Sequence, residues 1–169
     1  MTEPTDKRQP DVQLEMFSQA RFLSGARAMI SNIAQRLGFN EIECGQISLA
    51  VDEALCNIIN HGYEKRDDGR IWVSVWALDT QPPHIKVVIE DRARQVDVSQ
   101  IEPRDLDVIR PGGLGVHLMR QIMDEVHYAK REGGGMRLTM SKMRRNTTPN
   151  ADGDREPTPP VVKCEPEDE

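Results

Sequence analysis

A glutamate and two asparagines fall on one side of a predicted helix in the segment VDEALCNIINHGY. Glu53 and Asn57 are four positions apart, so in an α-helix they lie only about 40° apart around the axis. Asn60 lies about 20° from Glu53 on the other side, whereas Leu55 and Ile58 point the opposite way, toward the core. A carboxylate can accept a proton from a hydroxyl group, and an amide oxygen suits Mg²⁺. Taken alone, the stripe also fits an ordinary solvated helix face, and we favour that interpretation for it in isolation.

A second candidate is Asp91, which ends the apolar run HIKVVIED just before a polar segment. A carboxylate at the end of a strand can accept a hydrogen bond from an exocyclic amine at the bottom of a pocket. An aspartate in this position can equally begin a turn by bonding to its own backbone. The residue by itself does not decide between these two roles.

Glycines form the third candidate, because Gly112, Gly113, Leu114 and Gly115 lead directly into a predicted helix. Glycine allows the backbone to approach a ligand closely, and the first turn of a helix offers unpaired N–H groups to phosphates. A flexible hinge is the alternative. The spacing matches neither GxxxxGK[ST] nor GxGxxG, which disfavours a P-loop or a Rossmann site.

The elements that must position these residues begin with a strand, since apolar and polar residues alternate over 12–16. Helical spacing over 22–37 predicts a first helix that ends at Gly38. Asn40 and Glu43 match a capping box, so a second helix starts there, carries Glu53 and runs toward His61.

Two β-rich runs, IWVSVWAL and HIKVVIED, are separated by QPP and read as antiparallel neighbours. The polar stretch 92–112 has no clear period, and we interpret it as a lid. A third helix starts near Leu114, and a final hairpin surrounds three glycines at 133–135. The order β-α-α-β-β-α-β-β predicts an α+β fold, a two-layer α/β sandwich with helices on one face of a mixed, mostly antiparallel sheet.

The 169 residues suffice for one domain, which we place at 12–143. We expect residues 1–11 and the acidic, proline-rich tail 144–169 to be disordered. From residue 146 onward there are seven acidic and two basic side chains, so most of the net charge of −6 lies in the tail. The nearly neutral remainder disfavours direct nucleic-acid binding. With no apolar run of about 18 residues and no secretion signal, we predict a cytoplasmic protein that does not enter a membrane.

In this order, the segments EALCNIINHGY, IEDRARQVD and RPGGLGVHLMRQIMDEV resemble the N, G1 and G2 boxes of the GHKL (Bergerat-fold, histidine-kinase-like) ATPases. The resemblance covers nearly all of residues 12–143. The HGY after the first box and the GGLG before a helix are similar to the anti-sigma-factor serine kinases. Sensor histidine kinases differ, because they carry a histidine-bearing helix pair ahead of this domain.

The resemblance implies that Glu53 is the catalytic base, Asn57 the Mg²⁺ ligand and Asp91 the acceptor for the adenine amine. It also implies that Gly112, Gly113 and Gly115 contact the phosphates of ATP in a short lid that includes Leu114. Ala93 occupies a nucleotide-contacting position of the G1 box.

By the same resemblance the protein is a homodimeric anti-sigma factor and an ATP-dependent serine/threonine kinase. Its partners would be a sigma factor and a STAS-domain anti-anti-sigma protein, which it phosphorylates. Two departures support an alternative: Ala93 stands where the G1 box usually has glycine, and Met136 where the last hairpin usually has threonine. The alternative is a non-catalytic module of the same fold that sequesters a sigma factor or a STAS partner.

Overall fold

The computed structural model describes residues 8–97 and 114–145. The regular elements within these ranges follow the predicted order. They are β1 (Val12–Phe17), α1 (Leu23–Arg36), α2 (Glu41–Asn57), β2 (Arg70–Leu78), β3 (His84–Asp91), α3 (Leu114–Ile122), β4 (Glu125–Lys130) and β5 (Met136–Met143). Most of the predicted lid and of the two terminal segments lies outside the described residues.

The five described strands form one sheet in the order β1-β2-β3-β5-β4. Every pairing among them is antiparallel. The short links from β2 to β3 and from β4 to β5 allow only this direction. The α+β class is therefore confirmed. We expected a mixed, mostly antiparallel sheet, whereas all pairings between the described strands are antiparallel.

The helices cover one face of the sheet, and the core lies between the two layers. Alternate residues of the central strands point toward the helices, as the period of two requires. Burying each of these side chains contributes about 1.5–3 kcal/mol. The fully buried aliphatic residues on this face include Ile71, Val73, Val75, Ile85, Val87 and Ile89, and α2 contributes Ile47, Val51 and Leu55.

The start of α2 is fixed by the predicted capping box. The Asn40 side chain accepts the Glu43 N–H at 2.9 Å, and the Glu43 carboxylate accepts the Asn40 N–H at 2.9 Å. Gly38, just before it, has a φ of +82°, which favours glycine after a helix. These bonds set where α2 begins and therefore which side chains of its later turns face away from the core.

The end of α2 differs from the prediction. The α-helix stops at Asn57, and residues Ile58–Gly62 form a π-helical turn in which the Tyr63 N–H donates to the Ile58 carbonyl at 2.8 Å. A π turn is wider than an α turn, so it changes the direction of the side chains that follow. Within the described ranges, no helix has both the length and the apolar character needed to cross a bilayer.

Candidate active site

A cleft of about 320 Å³ lies between the end of α2 and the start of α3. This volume is at the small end of the range of ligand sites. Its polar lining comes mostly from α2 and the π turn. The described residues that line it are Glu53, Cys56, Asn57, Asn60, His61, Gly115 and Leu118.

The three polar residues predicted to share one side of the second helix do so. Glu53, Asn57 and Asn60 all line the cleft, whereas Leu55 is fully buried on the other side of α2. Asn60 lies in the π turn and still reaches the cleft. Since the cleft is formed with a second helix, this stripe is not simply a solvated surface. The chemical roles of these side chains remain predictions.

Gly115 makes the approach of α3 to Glu53 possible. A Cβ atom at position 115 would lie 2.6 Å from Cγ of Glu53 and would overlap its carboxyl group. A residue other than glycine at this position would therefore displace the Glu53 side chain from the place it occupies beside the first turn of α3. Leu114 begins α3, while the predicted phosphate-contacting residues Gly112 and Gly113 lie outside the described residues.

Asp91 lies at the end of β3 and is only 3% exposed. Its Oδ1 accepts two backbone N–H groups, from Ala93 at 2.8 Å and from Met136 at 3.2 Å. Oδ2 forms no hydrogen bond with the described residues. Burial raises the pKa of Asp91, and the N–H groups of Ala93 and Met136, followed by the charge of Arg131, oppose that rise. One carboxylate oxygen is thus fixed by the backbone, and the other has no hydrogen-bond partner among the described residues.

The turn between β4 and β5 holds the backbone at Asp91. Nη1 of Arg131 donates to the Asp91 carbonyl oxygen at 2.7 Å. Gly135 has a φ of +87°, and a Cβ atom there would lie 2.6 Å from the Asp91 carbonyl carbon. The sequence predicted this hairpin from its glycines but did not predict that it clamps the candidate adenine acceptor.

The two departures from the family pattern leave these contacts of Asp91 in place. Ala93 is 8% exposed, and its Cβ lies 3.0 Å from where a Cβ on Gly62 would be, so its methyl group occupies space left by that glycine. Met136 reaches Asp91 through its backbone N–H, which any residue except proline supplies. Ala93 and Asp91 do not line the cleft itself. Ala93 packs beside Gly62, which directly follows the lining residue His61.

The described part of the cleft offers few candidate ligands for a cation. The described residues contain no group of three or more His, Cys, Asp or Glu side chains that could hold a metal ion. Glu53, Asn57 and Asn60 nevertheless present oxygen atoms to one space. Oxygen donors in small number suit Mg²⁺, which keeps several waters and binds phosphate oxygens.

Cys56, His61 and Leu118 line the cleft but were not proposed from the sequence. Helical spacing could have found Cys56, which lies about 60° from Glu53 around α2, and Leu118, one turn after Gly115. His61 depends on the π turn, which the sequence did not reveal. Burial, followed by the charges of Asp52 and Glu53, raises the pKa of the Cys56 thiol, so it is protonated at neutral pH.

The histidine kinase-like ATPase domain model matches residues 18–142 of this chain. The chain belongs to this family. It is 31% identical over 137 residues to the serine-protein kinase RsbW of Staphylococcus aureus (strain MRSA252), covering 76% of this chain and 84% of that protein. It is 27% identical over 139 residues to the RsbW of Oceanobacillus iheyensis, covering 78% and 85%. The resemblance to the anti-sigma-factor serine kinases is confirmed.

Two solved structures share the fold of this family member. A chain of the SiaB-SiaC complex from Pseudomonas aeruginosa has a TM-score of 0.59 at 11% identity, covering 80% of this chain and 91% of that one. The RsbU and RsbW domains of a Mycobacterium tuberculosis protein give a TM-score of 0.53 at 15% identity, covering 78% and 31%. At these identities the likeness concerns the fold alone.

Proposed function

We propose that this protein is an ATP-dependent serine/threonine kinase and anti-sigma factor that phosphorylates a STAS-domain anti-anti-sigma protein in a partner-switching pathway. The observation that carries the proposal is the placing of Glu53, Asn57 and Gly115 around one cleft. The names of its relatives, serine-protein kinases, support the reaction class.

Asp91 binds the adenine base in this proposal. Its Oδ1 is occupied by two backbone N–H groups, so Oδ2 is the atom that accepts the exocyclic amine of adenine. Guanine carries a carbonyl oxygen at the equivalent ring position and would present an acceptor to an acceptor. The geometry thus favours adenine nucleotides over guanine nucleotides.

Asn57 and Glu53 act on the phosphate side. The Asn57 amide oxygen is the protein ligand of Mg²⁺, which when bound neutralises charge on the phosphate oxygens. Glu53, one helical turn earlier, accepts the proton of the attacking serine or threonine hydroxyl. Both side chains project from the same rigid helix, which fixes their separation.

The start of α3 holds the transferred phosphoryl group. Gly112, Gly113, Leu114 and Gly115 supply backbone N–H groups, and the helix dipole adds positive potential. Gly115 lies against Glu53, so the first turn of α3 and the proposed base meet at one place. Closing of residues 92–112 over the nucleotide remains part of the proposal.

The partners are proposed from the family. They are a sigma factor, a STAS-domain protein and a second copy of this chain, in the cytoplasm. The SiaB-SiaC structure shows a chain of similar fold within a complex of two named proteins, which supports protein binding by this fold.

A non-catalytic binding module is the second candidate, favoured by Ala93 and Met136. The bonds that both residues donate to Asp91 argue against it, because the carboxylate keeps its position with these residues present. Titration with ATP in the presence and absence of Mg²⁺ separates the two. No Mg²⁺-dependent binding at millimolar ATP would leave only the binding module.

Variants of α2 test the chemistry. Glu53→Gln keeps the shape of the side chain, so it retains Mg²⁺·ATP binding, while phosphoryl transfer falls by about 10²-fold or more. Asn57→Ala loses affinity as well as turnover, because a cation ligand is gone. The readout is mass spectrometry of a STAS-domain protein recovered by pull-down with and without ATP. Wild-type transfer by Glu53→Gln, or loss of ATP binding by folded Glu53→Gln, contradicts the role of Glu53.

A further inference from the structure

Tyr63 follows the π turn and is 3% exposed, yet the reaction outlined above gives it no role. Its hydroxyl group connects two separate strands. It donates to the carbonyl oxygen of Arg70 at 2.6 Å and accepts the N–H of Arg92 at 2.9 Å. Arg70 begins β2, and Arg92 directly follows Asp91 at the end of β3.

The hydroxyl group lies where the ladder between β2 and β3 ends. Ile71 is paired with Asp91, so residues 70 and 92 would be the next opposed pair if the ladder continued. Tyr63 bonds to the backbone of both instead. Arg92 therefore leaves β2 with its N–H satisfied, and the chain turns so that the Ala93 N–H reaches Asp91 Oδ1.

Tyr63 is held in place through both its ring and its backbone. A Cβ atom on Gly69 would lie 2.5–2.6 Å from three ring carbons, so the ring packs directly on that glycine. The backbone N–H of Tyr63 donates to the Ile58 carbonyl in the π turn, and this turn continues α2 without a break. The hydroxyl group thus has a fixed position relative to the helix that carries Glu53 and Asn57.

We propose that Tyr63 is a positioning residue that holds the Asp91 turn at a fixed place relative to α2. It fixes the position of the adenine-binding end of the proposed site relative to the phosphate-binding end. This inference rests on the proposed nucleotide binding. It predicts that Tyr63 acts on adenine recognition through Asp91, beyond any contribution to folding.

Tyr63→Phe retains the ring and removes both hydroxyl bonds. We expect the Kd for Mg²⁺·ATP to rise by about three- to tenfold, the scale of one net hydrogen bond. The Kd for Mg²⁺·GTP changes little, because guanine does not use the Asp91 acceptor. Both Kd values are measured by calorimetric titration. The Kd for Mg²⁺·GTP divided by the Kd for Mg²⁺·ATP therefore falls toward one.

Ser18→Ala is the matched control. Ser18 is 2% exposed, and its hydroxyl group also joins two backbone groups, donating to the Arg66 carbonyl at 2.5 Å and accepting the Gly69 N–H at 3.0 Å. These bonds lie beside Tyr63 but do not reach Arg92. Ser18→Ala should lower the melting temperature as Tyr63→Phe does, while leaving the ratio of ATP to GTP affinity at the wild-type value.

A Tyr63→Phe protein with lowered melting temperature and the wild-type ratio would show that Tyr63 is structural only. Gly69→Ala displaces the same ring from below and should also reduce the ratio, which keeps the test decisive if Tyr63→Phe does not fold. A wild-type protein that fails to bind ATP overturns the proposed function and this inference together. A wild type that binds ATP, with Tyr63→Phe equal to it, overturns the role of Tyr63 alone.

Discussion

Gly115→Ala is predicted to damage phosphoryl transfer while leaving the fold intact. The added methyl carbon would lie 2.6 Å from Cγ of Glu53, whereas carbon atoms in contact are separated by about 3.5–4.0 Å. One of the two groups must therefore move by at least about 1 Å, because Oε1 and the carboxyl carbon of Glu53 lie even closer to the added methyl carbon. The Glu53 carboxyl group ends a flexible side chain, so it moves and the helices stay.

The cost in stability is small. An altered side-chain rotamer of Glu53 costs about 0.5–1.5 kcal/mol. Replacing glycine by alanine in the first turn of α3 offsets this by at most about 0.5–1 kcal/mol, the gain found in a helix interior. The net change in the free energy of unfolding is therefore within about 1 kcal/mol. Displacing a catalytic group by about 1 Å, in contrast, can cost about 10²-fold in rate.

The assay is single-turnover transfer from ATP to the proposed STAS-domain substrate, with ATP affinity and melting temperature measured on the same samples. Gly45→Ala is the control, since Gly45 lies within α2 and an added Cβ there meets no described atom within 4 Å apart from its chain neighbours and the nearby backbone of its own helix. That variant should transfer phosphate at the wild-type rate and should not lose stability.

Two results would refute this reasoning. Gly115→Ala with the wild-type transfer rate would mean that the position of the Glu53 carboxyl group does not matter for the reaction. A loss of transfer explained entirely by weaker ATP binding would mean that the substitution disturbs the proposed phosphate contacts of α3 and not the alignment of the base.

Three further predictions follow from the site and the tail. Asp91→Asn should weaken ATP binding by roughly tenfold or more, as measured by calorimetry with ATP and GTP. The asparagine oxygen can still accept from the backbone, but its NH₂ group then faces the adenine amine, so a donor meets a donor. Burial raises the pKa of Asp91 above 3.8, so acidification should remove its charge and weaken ATP binding at a higher pH than for an ordinary aspartate, and Asp91→Asn should lack that step. Removal of all residues after Arg145 should leave the melting temperature and ATP affinity unchanged, since the acidic, proline-rich composition of that segment argues against core contacts; a clear drop in melting temperature would place the domain boundary further along the chain.

The order of strands and helices could be predicted because it depends on local patterns. Alternating apolar residues identified the strands, and the capping box of Asn40 and Glu43 placed the start of α2. The pairing of β3 with β5 could not be read in this way. It joins segments that are far apart in sequence, and no local pattern encodes which strand lies beside which.

The arrangement of the candidate site residues was predictable where a single helix carries them. Glu53 and Asn57 share a helix, so the helical period alone was enough to place them together. The clamp on Asp91 by Met136 and Gly135 depends on the tertiary approach of a distant hairpin. The π turn before Tyr63 uses hydrogen bonds between residues five apart, whereas an α-helix pairs residues four apart. The apolar pattern of the sequence does not distinguish the two, so it indicated a continuous α-helix.

The hydrogen bond between Asp91 and Met136 has a consequence for the order of folding. Its two partners are 45 residues apart, and the β4–β5 hairpin must dock beside β3 before the bond can form. Closing a loop of this length has to precede the gain in contacts, and such pairings form late. During synthesis, β1, β2, β3 and the first two helices emerge before any part of β5. The nascent chain can therefore bury much of its core before it can hold the Asp91 carboxylate in place, so the proposed adenine acceptor is completed only when the last strand docks.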